Sequence, residues 1–222
     1  MKIKFIIFLL FILLNNFSWA RFEKVEYKEF PFKNFTISLR IENFESGAIG
    51  AQIEVRKQHD LIAKKTFEKI EGKGGHAAVY MSRRQPLTDV FFIHKFGDHD
   101  SRTFLINEQG RLFDLPGGEI YYDEKAKIIF FLRNFETEPF AEYAAYNIKK
   151  KGMIFHFKDS KTHHAFNDQL HYRMMKGEKK YFALTTNKDK GGAVEFDLVR
   201  KKVIRSTFSE VSKLKLTPLS TL

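Results

Sequence analysis

Imidazole and carboxylate groups are the chemical resource of this chain. It holds eight histidines and no cysteine. The tightest group is His163-His164, Asp168 and His171. In a protein without thiols, these are the side chains that bind zinc or copper. Adjacent histidines on a strand point to opposite faces, so only one of that pair can share a site. His163, Asp168 and His171 are therefore the candidate metal ligands, and a divalent ion is the one cofactor the residues could hold. The spacing matches no known metal motif, and an ordinary exposed loop accounts for it more simply. Gly97-Asp98-His99-Asp100 forms a second group, two residues before Arg102. Two carboxylates around an imidazole could bind a cation or act as acid and base. Gly72-Lys73-Gly74-Gly75-His76 is a glycine-rich basic stretch. It lacks the Lys-Ser/Thr ending of a phosphate loop, so it reads as a connection between sheets. His76, Asp98, His99, Asp100 and Arg102 are the candidate binding residues.

Other chemistries are weaker or excluded. Thiol nucleophiles, disulfides and Cys-based zinc sites need a residue the chain does not contain. No Gly-x-Ser-x-Gly elbow is present. Asp123-Glu124 could serve as a glycosidase pair only if the fold brought a second acid to within about 5–10 Å.

These groups must be positioned by strands. Phe35 to Ile41 and Ala51 to Val55 alternate apolar and polar residues, as half-buried strands do. Val90-Phe91-Phe92-Ile93 and Ile128 to Leu132 are unbroken apolar runs, which suit strands buried on both faces. Gln58 to Ile70 reads as a helix or as a strand. The 25 phenylalanines and 8 tyrosines favour β-structure.

A loose internal order recurs: strand, charged turn, strand, polar gap, strand, charged turn, strand. Its units run near 22–67, 78–113, 119–157 and 169–208, ending at Phe67, Phe113, Phe157 and Phe208. The pattern resembles the four-stranded blade of β-propellers, whose repeats run about 40–50 residues. No Trp-Asp dipeptide, kelch signature or calcium-loop motif accompanies it. The expected fold is all-β, a propeller-like array of about four meanders. A strand near 211–216 would close the ring beside Phe22 to Tyr27. A β-sandwich or an open meander stack is the alternative.

The chain begins with Lys2 and Lys4, an apolar run from Phe5 to Leu14, and Ser18-Trp19-Ala20. That is the layout of a cleaved secretory signal peptide over residues 1–20, with the cut after Ala20. The apolar run is too short to span a bilayer, which takes about 20 residues. A single exported domain over 21–222 follows, periplasmic or extracellular, with neither a membrane-spanning segment nor a lipid anchor after cleavage. The formal charge is +11, of which Lys2 and Lys4 supply two. A basic exported protein meets anionic phospholipids, acidic glycans and phosphates. Attachment to an anionic membrane surface is one reading of that charge; solubility is another. The densest runs, Lys149 to Lys151, Lys179-Lys180 and Arg200 to Lys202, fall at expected hairpin turns. No specific nucleic-acid motif stands out.

With no catalytic motif in view, the leading expectation is a non-enzymatic protein that binds a protein or envelope glycan through its loops. The alternative is a propeller-type hydrolase acting on carbohydrate or phosphorylated envelope material. Convergence of the acids and histidines at one end would favour the hydrolase.

Overall fold

The computed structural model describes residues 22–44, 46–70, 77–81, 85–97, 101–133, 141–159, 172–178, 180–185, 192–211 and 213–222. The protein is all-β. Four antiparallel meanders follow one another along the described chain. Sheet 1 contains β1 (Phe22–Phe32), β2 (Phe35–Phe44), β3 (Ile49–Lys57) and β4 (Asp60–Ile70). Sheet 2 contains β5 (Ala78–Met81), β6 (Val90–Phe96), β7 (Arg102–Asn107) and β8 (Leu112–Pro116). Sheet 3 contains β9 (Glu119–Asp123), β10 (Ile128–Arg133), β11 (Ala141–Asn147) and β12 (Gly152–Asp159). Sheet 4 contains β13 (Tyr172–Lys176), β14 (Tyr181–Thr185), β15 (Gly192–Asp197) and β16 (Lys202–Thr207). The ambiguous stretch before Ile70 is strand, with its turn at Gln58-His59.

Apolar patterning decides how the sheets pack. In β3, Ala51, Ile53 and Val55 are buried while Gln52, Glu54 and Arg56 are only partly so. One face of sheet 1 therefore carries the core and the other is polar. The continuous run in β6 is buried on both sides. Phe91 and Ile93 join Ile37, Leu39 and Ile53 of sheet 1. Val90 and Phe92 join Ile129 and Phe131 of sheet 3. The run in β10 divides the same way, with Phe130 and Leu132 packing toward Met174, Ala183 and Phe196 of sheet 4. Sheets 2 and 3 are thus inner layers, which is why their strands need apolar residues at consecutive positions.

The link from sheet 2 to sheet 3 is only Gly117-Gly118. A Cβ on Gly117 would lie 2.3 Å from the Ser101 carbonyl carbon, and one on Gly118 2.3 Å from the Leu132 oxygen. The crossing is too tight for any side chain.

The end of the chain departs from expectation. Residues 211 and 213–216 do not form a strand beside β1. Phe208–Val211 is a single helical turn, and Val211 and Leu216 pack on Phe182 and Ala193, covering the outer face of sheet 4. Pairing falls instead to β17 (Thr217–Pro218) on β13 and β18 (Ser220–Thr221) on β9. The physical reason lies in the two surfaces. Sheet 4 offers an apolar face that needs cover, while the β1 edge carries Lys24, Glu26, Lys28 and Pro31, residues that resist strand addition.

Antiparallel order separates the connections into two ends. Apart from the β2–β3 turn, the described tight hairpins lie at one end, and their tips touch from sheet to sheet. Lys33 is 3.8 Å from Asp89. The Asn107 amide donates to the Lys151 carbonyl at 3.4 Å, and Lys151 pairs with Glu108. Asp123 accepts from Tyr181 at 2.8 Å and pairs with Lys176. Three hairpins share one construction. Asp123, Asn147 and Asp197 each accept from the backbone N–H three residues on, and Lys127, Lys151 and Lys201 close the loops with positive φ. The strand ends that bound residues 71–76, 98–100, 134–140, 160–171 and 186–191 lie at the opposite end.

Candidate functional site

A cluster of charged side chains sits just inside that second end and joins three sheets. Arg102 opens β7, Asp114 is the middle residue of edge strand β8, and Arg133 ends β10. Glu142 is second in β11, and His156 and Lys158 lie toward the end of β12. Lys65 comes from β4 of sheet 1. Strand β8 packs over β10 and β11, which brings Arg102 to Glu142 across the boundary between sheets 2 and 3.

Glu142 is the hub. Its carboxylate is fully buried, at 0% exposure. Oε2 accepts from Arg102 Nη1 at 2.6 Å, and Oε1 from His156 Nε2 at 2.6 Å. A carboxylate can only accept, so His156 holds its proton on Nε2. Arg133 Nη1 is 3.7 Å from Oε2, and Lys158 Nζ is 4.0 Å from Oε1. Burial pushes the Glu142 carboxyl up, but the His156 hydrogen bond and the Arg102 and Lys158 charges outweigh it and hold the pKa at about 2. Arg102 also donates through Nε to Asp114 Oδ1 at 2.7 Å, while Lys65 Nζ reaches Asp114 Oδ2 at 2.9 Å. Burial pulls the Arg102 guanidinium down, and its two carboxylate partners raise it above the ordinary value. Lys65 and Lys95 lie 5.9 and 5.3 Å from the Phe67 ring centroid.

Such a cluster clamps the three sheets together. It lacks the marks of acid–base chemistry. Both carboxylates are committed to cations, and a carboxyl held near 2 is neither a general acid nor a strong base at neutral pH.

Of the residues singled out from sequence, Arg102 is placed here. His76, Asp98, His99, Asp100, His163, Asp168 and His171 lie outside the described residues. The described histidines do not converge. His94 stacks on Phe92 with centroids 6.3 Å apart and contacts Thr103 through Nδ1 at 3.2 Å; burial lowers its pKa. His59 is exposed at the β3–β4 tip. Asp123 stands at the hairpin end beside a cleft of about 690 Å³ formed with Lys176, Glu178 and Thr217 to Ser220. Burial raises its pKa, but hydrogen bonds from Lys176, the Ala126 N–H and Tyr181 outweigh this and lower it. Among the described residues, no group of three His, Asp or Glu could hold a metal ion.

Asp114, Arg133, Glu142 and His156 escaped the sequence reading. Their signal was a charge in an apolar strand: Glu142 within Ala141 to Tyr146, Asp114 between Phe113 and Leu115, and Arg133 ending the Ile128 run. Charges in such positions are buried only when paired.

No protein-family model matches the chain, and no curated protein and no solved structure matches it.

Proposed function

We propose that this is an exported, non-enzymatic binding module, trimmed after Ala20. It engages an anionic partner, an envelope glycan or an acidic protein, through the end opposite its hairpin tips. The observation that carries the reading is the Glu142 cluster. It fixes three sheets beneath the long connections and gathers Lys65, Arg102, Arg133 and Lys158 there. Loops on a rigid scaffold are where binding sites usually form. The hydrolase alternative needs acids and histidines to gather. The described ones are divided between the two ends, and those at the cluster are tied into ion pairs.

The architecture forms part of this reading. Core clusters join sheet 1 to 2, 2 to 3 and 3 to 4, and among the described residues none joins sheet 4 to sheet 1. This supports an open meander stack over a closed propeller. Among the described residues, no helix is long and apolar enough to cross a membrane.

The test is calorimetric titration of residues 21–222 with acidic and neutral oligosaccharides of equal length, followed by product analysis. The expected result is salt-sensitive binding of the acidic chain alone, unchanged sugar, and weaker binding by Lys158→Glu. Cleavage of the sugar would favour the hydrolase. Equal affinity for both sugars, or none for either, would contradict the proposal.

A further inference from the structure

The hairpin end carries its own charge pattern. Among the described residues that connect strands there, ten are Lys or Arg and four are Asp or Glu. Lys149 and Lys150 on one tip, and Arg200 and Lys201 on the next sheet, are exposed. Among the described residues, five non-glycine residues have positive φ, and four of them are lysines: Lys33, Lys127, Lys151 and Lys201. Glycine or asparagine fits that backbone at less steric cost.

Two aliphatic side chains stand among these cations. Val199 is 92% exposed at the β15–β16 tip, directly before Arg200 and Lys201. Leu214 is 48% exposed between Lys213 and Lys215, at the point where the tail passes Gly177 and Lys180 at the same end. Val199 is the most exposed of the large apolar side chains among the described residues.

We propose that the hairpin end docks on the surface of an anionic phospholipid bilayer, with Val199 and Leu214 entering the headgroup boundary. The cations are spread over the tips of several sheets instead of lining a groove, which suits a plane of charge. Lysine predominates, and lysine acts as a point charge without bidentate geometry. Aliphatic groups flanked by cations are the side chains that anchor a protein at a lipid interface. Docked this way, the molecule turns its loop-bearing end away from the membrane. This surface is distinct from the proposed partner site, so either can fail alone.

The test is vesicle co-sedimentation of residues 21–222; every described sheet and core cluster lies within them. Vesicles of phosphatidylcholine alone are compared with vesicles containing phosphatidylglycerol, and soluble polyphosphate serves as the control polyanion. Of the two vesicles, only the anionic one is expected to bind, and binding falls as salt rises. Each neutralised cation is worth about fivefold. The triple variant Lys149→Gln, Lys150→Gln, Arg200→Gln should therefore bind about a hundredfold more weakly. Val199→Ser should weaken vesicle binding about tenfold, the worth of a buried aliphatic side chain, and leave polyphosphate binding unchanged. Circular dichroism verifies folding, and these exposed tip positions make no core contact. Equal binding to neutral vesicles, an unaffected triple variant, or a Val199→Ser variant that binds anionic vesicles like the parent would overturn the proposal.

Discussion

Replacing Glu142 by Gln removes one buried charge from the middle of the ionic cluster. Arg102 and His156 both donate to it at 2.6 Å, and Arg133 and Lys158 stand within 4.0 Å. The amide keeps a single acceptor oxygen and turns an NH2 group toward donors. Breaking a buried pair in this way costs about 3–5 kcal/mol. A second route to the magnitude uses protonation. Lowering the carboxyl from 4.5 to about 2 on folding contributes roughly 3 kcal/mol at neutral pH. The folded value is the lower one, so this stability is present above about pH 4.5 and drains away as the pH falls toward 2. Urea unfolding of parent and variant between pH 7 and pH 3 reads both numbers. The variant should be about 3–5 kcal/mol less stable at pH 7, and the gap should narrow by about 2 kcal/mol at pH 3. Other acids with lowered pKa values, such as Asp123 and Asp197, are common to both proteins and cancel. A variant within about 1 kcal/mol of the parent at pH 7, or a gap that ignores pH, would refute the reasoning.

Three further outcomes are expected. Gly117→Ala and Gly118→Ala should each cost more than about 2 kcal/mol in chemical denaturation, because the new Cβ meets backbone at 2.3 Å in both cases. Asp123→Ala should lower stability by about 2–3 kcal/mol, since Lys176, Tyr181 and the Ala126 N–H lose one acceptor together; the Tyr181 phenol, now pushed up by burial and by that carboxylate, should titrate at lower pH by ultraviolet absorbance. Lys127→Gly and Lys201→Gly relieve left-handed strain at the expense of unfolded-state entropy. Each should leave thermal stability within about 0.5 kcal/mol of the parent while reducing anionic-vesicle binding about fivefold.

The architecture was more legible than the site. Continuous runs such as Val90 to Ile93 indicated two-sided burial, and sheets 2 and 3 are inner layers for that reason. Alternation in β2 and β3 marked a sheet with one polar face. The route of the tail was not readable, because residues 211–216 alternate in sequence like a strand, yet Val211 and Leu216 cover Phe182 and Ala193. The cluster was hidden for a related reason. Lys65, Asp114, Arg102 and Glu142 come from four strands of three sheets, and local spacing carries no information about which edges meet. Only the cost of a charge in an apolar strand pointed to Glu142. The basic turns were recognised as solvated tips, but their alignment on one end appears only once Lys33, Glu108, Lys151 and Asp123 connect the sheets.

The division of labour between the two ends is tested most directly by hydrogen–deuterium exchange of residues 21–222, with and without an acidic oligosaccharide. The account predicts slower exchange in peptides spanning 130–145 and 155–175, and no change at the hairpin tips around 124–127, 148–151 and 198–201. Protection confined to those tips, or no protection anywhere at saturating sugar, would contradict it.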